Sequence, residues 1–164
     1  MEINIFMIFT KKSEQKRFVK FLIVGVISSF VDFGFMNLFT LLFNIPLIIA
    51  QGLSFLIAVL ESFMLNRFWI YPDSRSKSQY NQFMQFFLIN LVGIGIRTLL
   101  IPVFYRLINS ILSNSSIELF SRLKNVISQN ASLAIVVGIV LLWNFFANRY
   151  WTYSDVSSDQ VHTQ

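Results

Sequence analysis

Two short segments, Asn66–Trp69 and Asn148–Trp151, repeat the order asparagine, arginine, aromatic residue, tryptophan. An arginine guanidinium offers bidentate donors to phosphate oxygens, and a neighbouring amide adds further hydrogen bonds. The pattern therefore predicts a phosphate site at the end of each preceding apolar segment, with basic residues from the N-terminal side nearby. The residues assigned to head-group binding are Arg67, Arg149, Asn66, Asn148, Lys20 and Arg17.

Membrane anchoring is the alternative interpretation of the same two segments. Arginine at a membrane edge reaches the lipid phosphates, and tryptophan and tyrosine favour the membrane–water interface. This interpretation accounts for the aromatic residues and less well for the asparagines, and both interpretations stay open. The predicted interface anchors are Trp69, Trp151, Tyr71 and Tyr153.

Three ionisable residues, Asp32, Glu61 and Arg97, lie inside long apolar segments. A charge in the bilayer centre costs about 2.5–3.5 kcal/mol on insertion scales, so such residues normally face protein or a water-filled cavity. Asp32 and Arg97 each lie 14 residues after the start of their segments at Phe18 and Phe83, which corresponds to roughly 21 Å along a helix. We therefore predict an Asp32–Arg97 ion pair, either as part of a transport path or as a structural pin between two helices.

Further polar residues share helix faces with these charges, and ordinary helix packing is the alternative explanation for the smallest of them. Ser62 precedes Asn66 by four residues, and Asn144 precedes Asn148 by four, so each pair lies on one helix face. The set assigned to a buried polar path or ion pair is Asp32, Arg97, Glu61, Asn90, Asn144 and Ser62.

The composition is that of an integral membrane protein. Hydrophobic residues make up 55% of the chain and charged residues 13%, against about 25% charged in soluble domains. The net charge of +5 comes from short basic clusters between apolar segments and not from one soluble face, so the bilayer is the expected partner and nucleic acid is not. The chain has no cysteine, and no residue pattern predicts a metal, a cofactor or a catalytic centre.

Four apolar segments, at about 18–43, 46–67, 83–108 and 130–150, are each near or above the roughly 20 residues that cross a bilayer. They predict an all-α membrane domain over 18–153, between a basic segment, 1–17, and a polar tail, 154–164. Nine of the lysines and arginines fall on one side of the spans and three on the other, which predicts that both termini are cytoplasmic. Apolar residues at helical spacing in the outer loop, about 109–129, predict a short separate surface helix.

The chain is predicted to be an internal repeat. Adding 65 to a residue number maps Phe18 onto Phe83 and Asp32 onto Arg97, whereas adding 82 maps the first asparagine–arginine segment onto the second. Both halves begin on the same side of the membrane, so the repeat consists of two parallel helical hairpins. The match is strong at the helix ends and loose along the first helices.

The sequence resembles the GtrA-like family. The resemblance rests on segment 17–21 (RFVKF), the NRFW end of the second span, the phenylalanine-rich start of the third, and segment 144–149 (NFFANR). It covers about residues 17 to 153. It implies a four-span protein of the bacterial cytoplasmic membrane that moves a polyprenyl-phosphate-linked monosaccharide outward, for addition to O-antigen, teichoic acid or another cell-wall polymer. It equally implies a membrane partner that anchors a polyprenyl-phosphate glycosyltransferase.

Three functions therefore remain open: a translocator of a lipid-linked sugar, a non-transporting accessory subunit, and a small proton-coupled exporter that uses Asp32 or Glu61. The exporter is disfavoured because Arg97, at the depth of Asp32, would keep that acid ionised. A homodimer is expected if four spans are too few to enclose a path. No version of the prediction includes catalysis.

Overall fold

The computed structural model describes residues 11–112 and 118–156, with only the backbone of 118–122. Its four helices are α1, Lys12–Leu41; α2, Leu47–Leu65; α3, Gln79–Leu112; and α4, Glu118–Ala147. α2 and α4 each continue into a single π-helical turn, Asn66–Ile70 and Asn148–Thr152. The predicted all-α fold is confirmed, and no strand occurs in the part of the chain described. The first ten residues of the predicted basic segment, residues 113–117 of the predicted outer loop and the tail from 157 onward lie outside the described residues.

All four helices are long and apolar enough to cross a membrane. α1 has 30 residues and α3 has 34, which at 1.5 Å per residue is roughly 45–50 Å. Because the hydrocarbon core is about 30 Å thick, these helices must tilt or extend beyond it. Large apolar side chains such as Phe30 and Ile48 are exposed, as expected for surfaces that face lipid.

The predicted long outer loop with its own short helix is wrong. α3 continues to Leu112, and α4 already begins at Glu118 and runs without a break to Ala147. The described part of this segment is helical, as the spacing of its apolar residues predicts, but it forms the start of α4. No glycine or proline lies between residues 118 and 130 to end the helix there.

A tight turn joins α1 to α2. Asn44 adopts a left-handed conformation with φ 53°, which asparagine tolerates better than most residues. The backbone N–H of Ile45 donates to the carbonyl of Phe39 at 3.1 Å, so the turn satisfies a carbonyl at the end of α1. Pro46 then occupies the N-cap position of α2. The turn fixes the two helices as an antiparallel hairpin.

The chain divides into two compact units, of which the first contains residues up to Phe87 together with those from Asn148 onward. Its core is aromatic. Phe63 of α2 meets Phe83 and Phe86 of α3 edge to face, with ring centroids 5.4 and 5.7 Å apart, and the core continues to Tyr71 and Tyr153. The first unit therefore brings the start of α1, the ends of α2 and α4 and the start of α3 into one cluster.

The second unit, Leu88–Ala147, is formed by the rest of α3 and by α4. Gly93 allows the two helices to approach closely, because a Cβ added there would lie 3.3 Å from the Asn144 side-chain oxygen. Trp143, which the repeat aligns with Glu61, donates from its indole nitrogen to the Ile89 carbonyl at 3.2 Å. Polar groups of this unit therefore support its helix pairing.

Candidate functional site

The two asparagine–arginine segments form the same local structure. The backbone N–H of Tyr71 donates to the Asn66 carbonyl, and that of Tyr153 donates to the Asn148 carbonyl, both at 2.8 Å. Each bond spans five residues, which is the π-helical pattern, and π turns of this kind are frequent at functional sites. The wider turn buries the same four positions in each copy, namely Asn66, Arg67, Ile70 and Tyr71 in the first and Asn148, Arg149, Thr152 and Tyr153 in the second.

The asparagine side chains help to hold these turns. Asn66 donates from its amide nitrogen to the backbone carbonyl of Ser62 at 2.8 Å. Asn148 accepts a hydrogen bond from the Thr152 hydroxyl at 3.0 Å. Ser62 and Asn66 are therefore linked as neighbours on one helix face, but through the Ser62 backbone carbonyl and not through its hydroxyl.

Tyr71 and Tyr153 are not interface anchors, which corrects the sequence prediction. Both side chains are completely buried and stack on each other, with ring centroids 4.3 Å apart and ring planes 16° apart. Burial raises the pKa of each phenol, so both stay neutral hydrogen-bond donors at physiological pH. The two repeats meet at these tyrosines, a contact that a single-segment pattern does not reveal. Trp69 and Trp151 remain partly exposed, and their anchoring role stays a prediction.

Arg149 and Arg17 both bind Glu14, a residue that the sequence prediction missed. Arg17 Nη1 lies 2.6 Å from Glu14 Oε1, and Arg149 Nη2 lies 3.1 Å from the same oxygen. Arg149 Nε donates to both carboxylate oxygens at 3.2 Å. These two guanidinium groups therefore bind a carboxylate of the protein itself, and their role as phosphate ligands stays a prediction. The available signal was an acid among five basic residues, three positions before Arg17.

Arg67 has a different environment. Its side chain is only 4% exposed, yet neither its Nε nor its Nη1 finds a hydrogen-bond partner among the described residues. Burial raises the pKa of the Tyr153 phenol, and the positive charge of Arg67 opposes that rise in part. A buried charge without a counter-charge is unfavourable by several kcal/mol, so this guanidinium favours binding of an anion. We refer to Arg17, Arg67, Arg149, Glu14, Tyr71 and Tyr153 as the arginine cluster.

Two lysines stabilise the ends of the π turns. Lys20 donates to the Trp69 carbonyl at 3.2 Å and lies over the Trp69 ring at 5.4 Å. Lys77 donates to the Trp151 carbonyl at 2.6 Å. Cations at a helix C-terminus satisfy its free carbonyls and oppose its negative dipole end. Lys20, predicted as a phosphate ligand, therefore has a structural contact, and a role with phosphate stays a prediction.

A polar turn after the second tyrosine closes this end of the unit. Asp155 accepts hydrogen bonds from the hydroxyls of Ser74 at 2.6 Å and Ser76 at 2.8 Å. The fully buried Gln82 donates to the same Ser74 hydroxyl at 2.5 Å. Partial burial alone would raise the pKa of Asp155, but the bonds from Ser74 and Ser76 outweigh it and hold that pKa below its ordinary value.

Asp155→Asn is expected to lower stability slightly at neutral pH. A carboxylate whose pKa is depressed on folding stabilises the folded state above its unfolded pKa, and this contribution disappears as pH falls through the folded value. The difference in melting temperature between wild type and variant should therefore shrink below about pH 4. Melting curves in detergent from pH 7 to pH 3 test this, and a constant difference across that range would contradict it.

The acids inside α1 and α2 bind serine hydroxyls of the opposite helix. Ser54 donates to Asp32 at 2.6 Å, and Ser28 donates to Glu61 at 2.7 Å. The hairpin of the first unit therefore carries two polar pairs within its apolar length. The Asp32–Arg97 ion pair would join the two units and stays a prediction.

The remaining predicted path residues belong to the second unit. Arg97 is exposed on α3. Asn90 and Asn144 both have interactions with neighbouring groups, and the Asn144 side chain lies beside Gly93. A transport role for these three residues stays a prediction.

Four apolar helices in two similar halves, with paired π turns at one end, define a multi-pass membrane protein. The chain matches the family described as GtrA/DPMS, transmembrane domain, over residues 20–153. It belongs to that family, which is linked to the handling of polyprenyl-phosphate-linked sugars, and this confirms the resemblance found in the sequence. The chain is also similar to the uncharacterized membrane protein YngA of Bacillus subtilis (strain 168), with 27% identity over 146 residues that cover 89% of this chain and 85% of that protein.

Proposed function

We propose that this protein moves a polyprenyl-phosphate-linked monosaccharide across the bacterial cytoplasmic membrane, so that the sugar reaches enzymes that modify cell-surface polysaccharides. The observation that carries the proposal is Arg67, whose buried guanidinium has two nitrogen atoms without a partner among the described residues. A phosphate group matches this need because its oxygens accept bidentate hydrogen bonds from a guanidinium.

The position of Arg67 supports binding of a lipid phosphate. It is followed by Phe68 and Trp69, which are exposed, so this helix end reaches the protein surface. Aromatic residues favour the zone of lipid head groups. With both termini in the cytoplasm, as the distribution of basic residues predicts, the phosphate would be bound at the inner leaflet.

The α1–α2 hairpin supports passage of a sugar. The Ser54–Asp32 and Ser28–Glu61 pairs place hydroxyls and carboxylates in an otherwise apolar hairpin. Sugar hydroxyls can exchange hydrogen bonds with such groups, which lowers the cost of bringing a polar head group into the membrane. In this proposal the protein binds and moves its substrate without catalysing a reaction.

The direct test is transport by the purified protein. Liposomes that contain only this protein should move a fluorescent short-chain polyprenyl-phosphate monosaccharide between leaflets faster than protein-free liposomes. Absence of movement, with folding verified by circular dichroism, would reject the translocator. The accessory-subunit function would then be tested by co-purification with a polyprenyl-phosphate glycosyltransferase.

A further inference from the structure

The two duplicated arginines have the same position in their π turns but different partners. Arg149 is held by Glu14 at 3.1–3.2 Å. Arg67 has neither Nε nor Nη1 bonded within the described residues, although it is also buried. The sequence repeat alone would assign both arginines the same role.

The two arginines have different partners because only the first repeat has a carboxylate at the position of Glu14. The offset of 65 that relates α1 to α3 places Gln79 at the position of Glu14 and Gln82 at that of Arg17. Neither glutamine is charged, so the second half offers no carboxylate at the equivalent position. Gln82 instead binds Ser74, and its own side-chain oxygen has no partner among the described residues.

We infer that the two sites have diverged: Glu14 is a built-in carboxylate that fills the Arg149 site, and Arg67 alone receives an external phosphate group. Carboxylate and phosphate oxygens accept hydrogen bonds from guanidinium in the same forked geometry, so Glu14 can occupy one site in the manner that a phosphate occupies the other. Each chain should therefore bind one phosphate group and not two. This inference rests on the proposed function for the assignment of that phosphate to a polyprenyl lipid.

Two buried tyrosine hydroxyls of the same unit are further hydrogen-bond donors. The hydroxyls of Tyr71 and Tyr153 are buried and have no hydrogen-bond partner among the described residues. Both remain protonated because burial raises the pKa of each phenol. A phosphate group has several acceptor oxygens, so it can accept a hydrogen bond from a tyrosine hydroxyl as well as from a guanidinium.

The test is the number of phosphate groups bound per chain. Binding of farnesyl phosphate and, separately, inorganic phosphate is measured by native mass spectrometry and calorimetry in detergent. The wild type should bind one. Arg67→Gln should bind at least about 30-fold more weakly, the loss expected when a buried charged partner is removed, whereas Arg149→Gln should bind as the wild type does. The Glu14→Gln variant should bind two phosphate groups per chain. The double variant that combines Arg67→Gln with Glu14→Gln should bind one phosphate group.

The outcomes separate this inference from the proposed function. Equal weakening by Arg67→Gln and Arg149→Gln would overturn the inference, as would a single phosphate on a folded Glu14→Gln variant. The Arg67 and Arg149 variants decide the matter even if Glu14→Gln does not fold. Binding of farnesyl phosphate alone would show that the lipid chain is needed, whereas binding of both probes would show that phosphate suffices. If the protein transports the lipid-linked sugar but phosphate binding does not depend on Arg67, the inference is rejected and the proposed function stands. If phosphate binding follows the expected pattern but no transport occurs, the translocator function is rejected.

Discussion

Arg67→Gln is expected to reduce transport of a polyprenyl-phosphate sugar in liposomes at least tenfold, because it removes the only guanidinium of the described arginine cluster that is not bonded to Glu14. Loss of a charge-assisted hydrogen bond to a ligand costs about 2 kcal/mol or more. Arg67→Lys should lose most of the activity as well, since an ammonium keeps the charge but not the forked geometry.

The stability of Arg67→Gln distinguishes binding from a structural role. An uncompensated buried charge destabilises the folded state, so its removal should leave stability unchanged or increase it. Arg75→Gln is the matched control, because Arg75 follows the same π turn and is exposed, with its guanidinium over the Phe68 ring at 5.3 Å. Loss of both activity and stability in Arg67→Gln, or equal loss of activity in Arg75→Gln, would contradict the assignment.

Glu14→Ala is expected to destabilise the folded protein by about 3–5 kcal/mol, because it leaves two buried guanidinium groups without their shared carboxylate. Glu14 is 3% exposed, and both Arg17 and Arg149 are less than a tenth exposed, so water cannot replace the lost partner. Unfolding in mixed detergent micelles measures the effect. Lys16→Ala on the exposed side of α1 is the matched control and should change stability by about 0.5 kcal/mol or less.

A double variant tests the reason for that loss. Arg149→Met in the Glu14→Ala background removes one of the two unpaired charges and should restore part of the stability, since apolar residues of similar size often replace a buried ion pair at little cost. If the double variant is no more stable than Glu14→Ala, the charge explanation fails and Glu14 contributes through packing.

The asparagine–arginine repeat predicts local structure well but does not predict the partners of its side chains. It correctly singled out two equivalent helix ends, and the structure gives them identical π turns and burial. It also assigned both arginines the same ligand, whereas one binds Glu14 and the other does not. The partner of Arg149 lies 135 positions away in the chain, and no periodicity or spacing connects the two.

The positions of the aromatic residues also depend on contacts that a local pattern does not predict. The sequence predicts that the tryptophan and the tyrosine after each apolar span are interface anchors, but only the tryptophans are partly exposed. One wide π turn places the tyrosine beyond the tryptophan on the inner side, where it meets its counterpart from the other repeat. The interface preference of tyrosine is modest, and burial against a second ring outweighs it.

The sequence by itself determined the four-helix class, the membrane environment, the two repeats and the family, because composition, apolar length and local spacing act within one segment at a time. Only the tertiary structure decided which partner each acidic side chain has: Glu14 pairs with Arg17 and Arg149, Asp32 with the Ser54 hydroxyl, and Glu61 with the Ser28 hydroxyl. Such pairs depend on the approach of distant helices to within hydrogen-bonding distance. A buried charge is stable only where that approach supplies a partner, and for Arg67 we propose that the lipid phosphate supplies it.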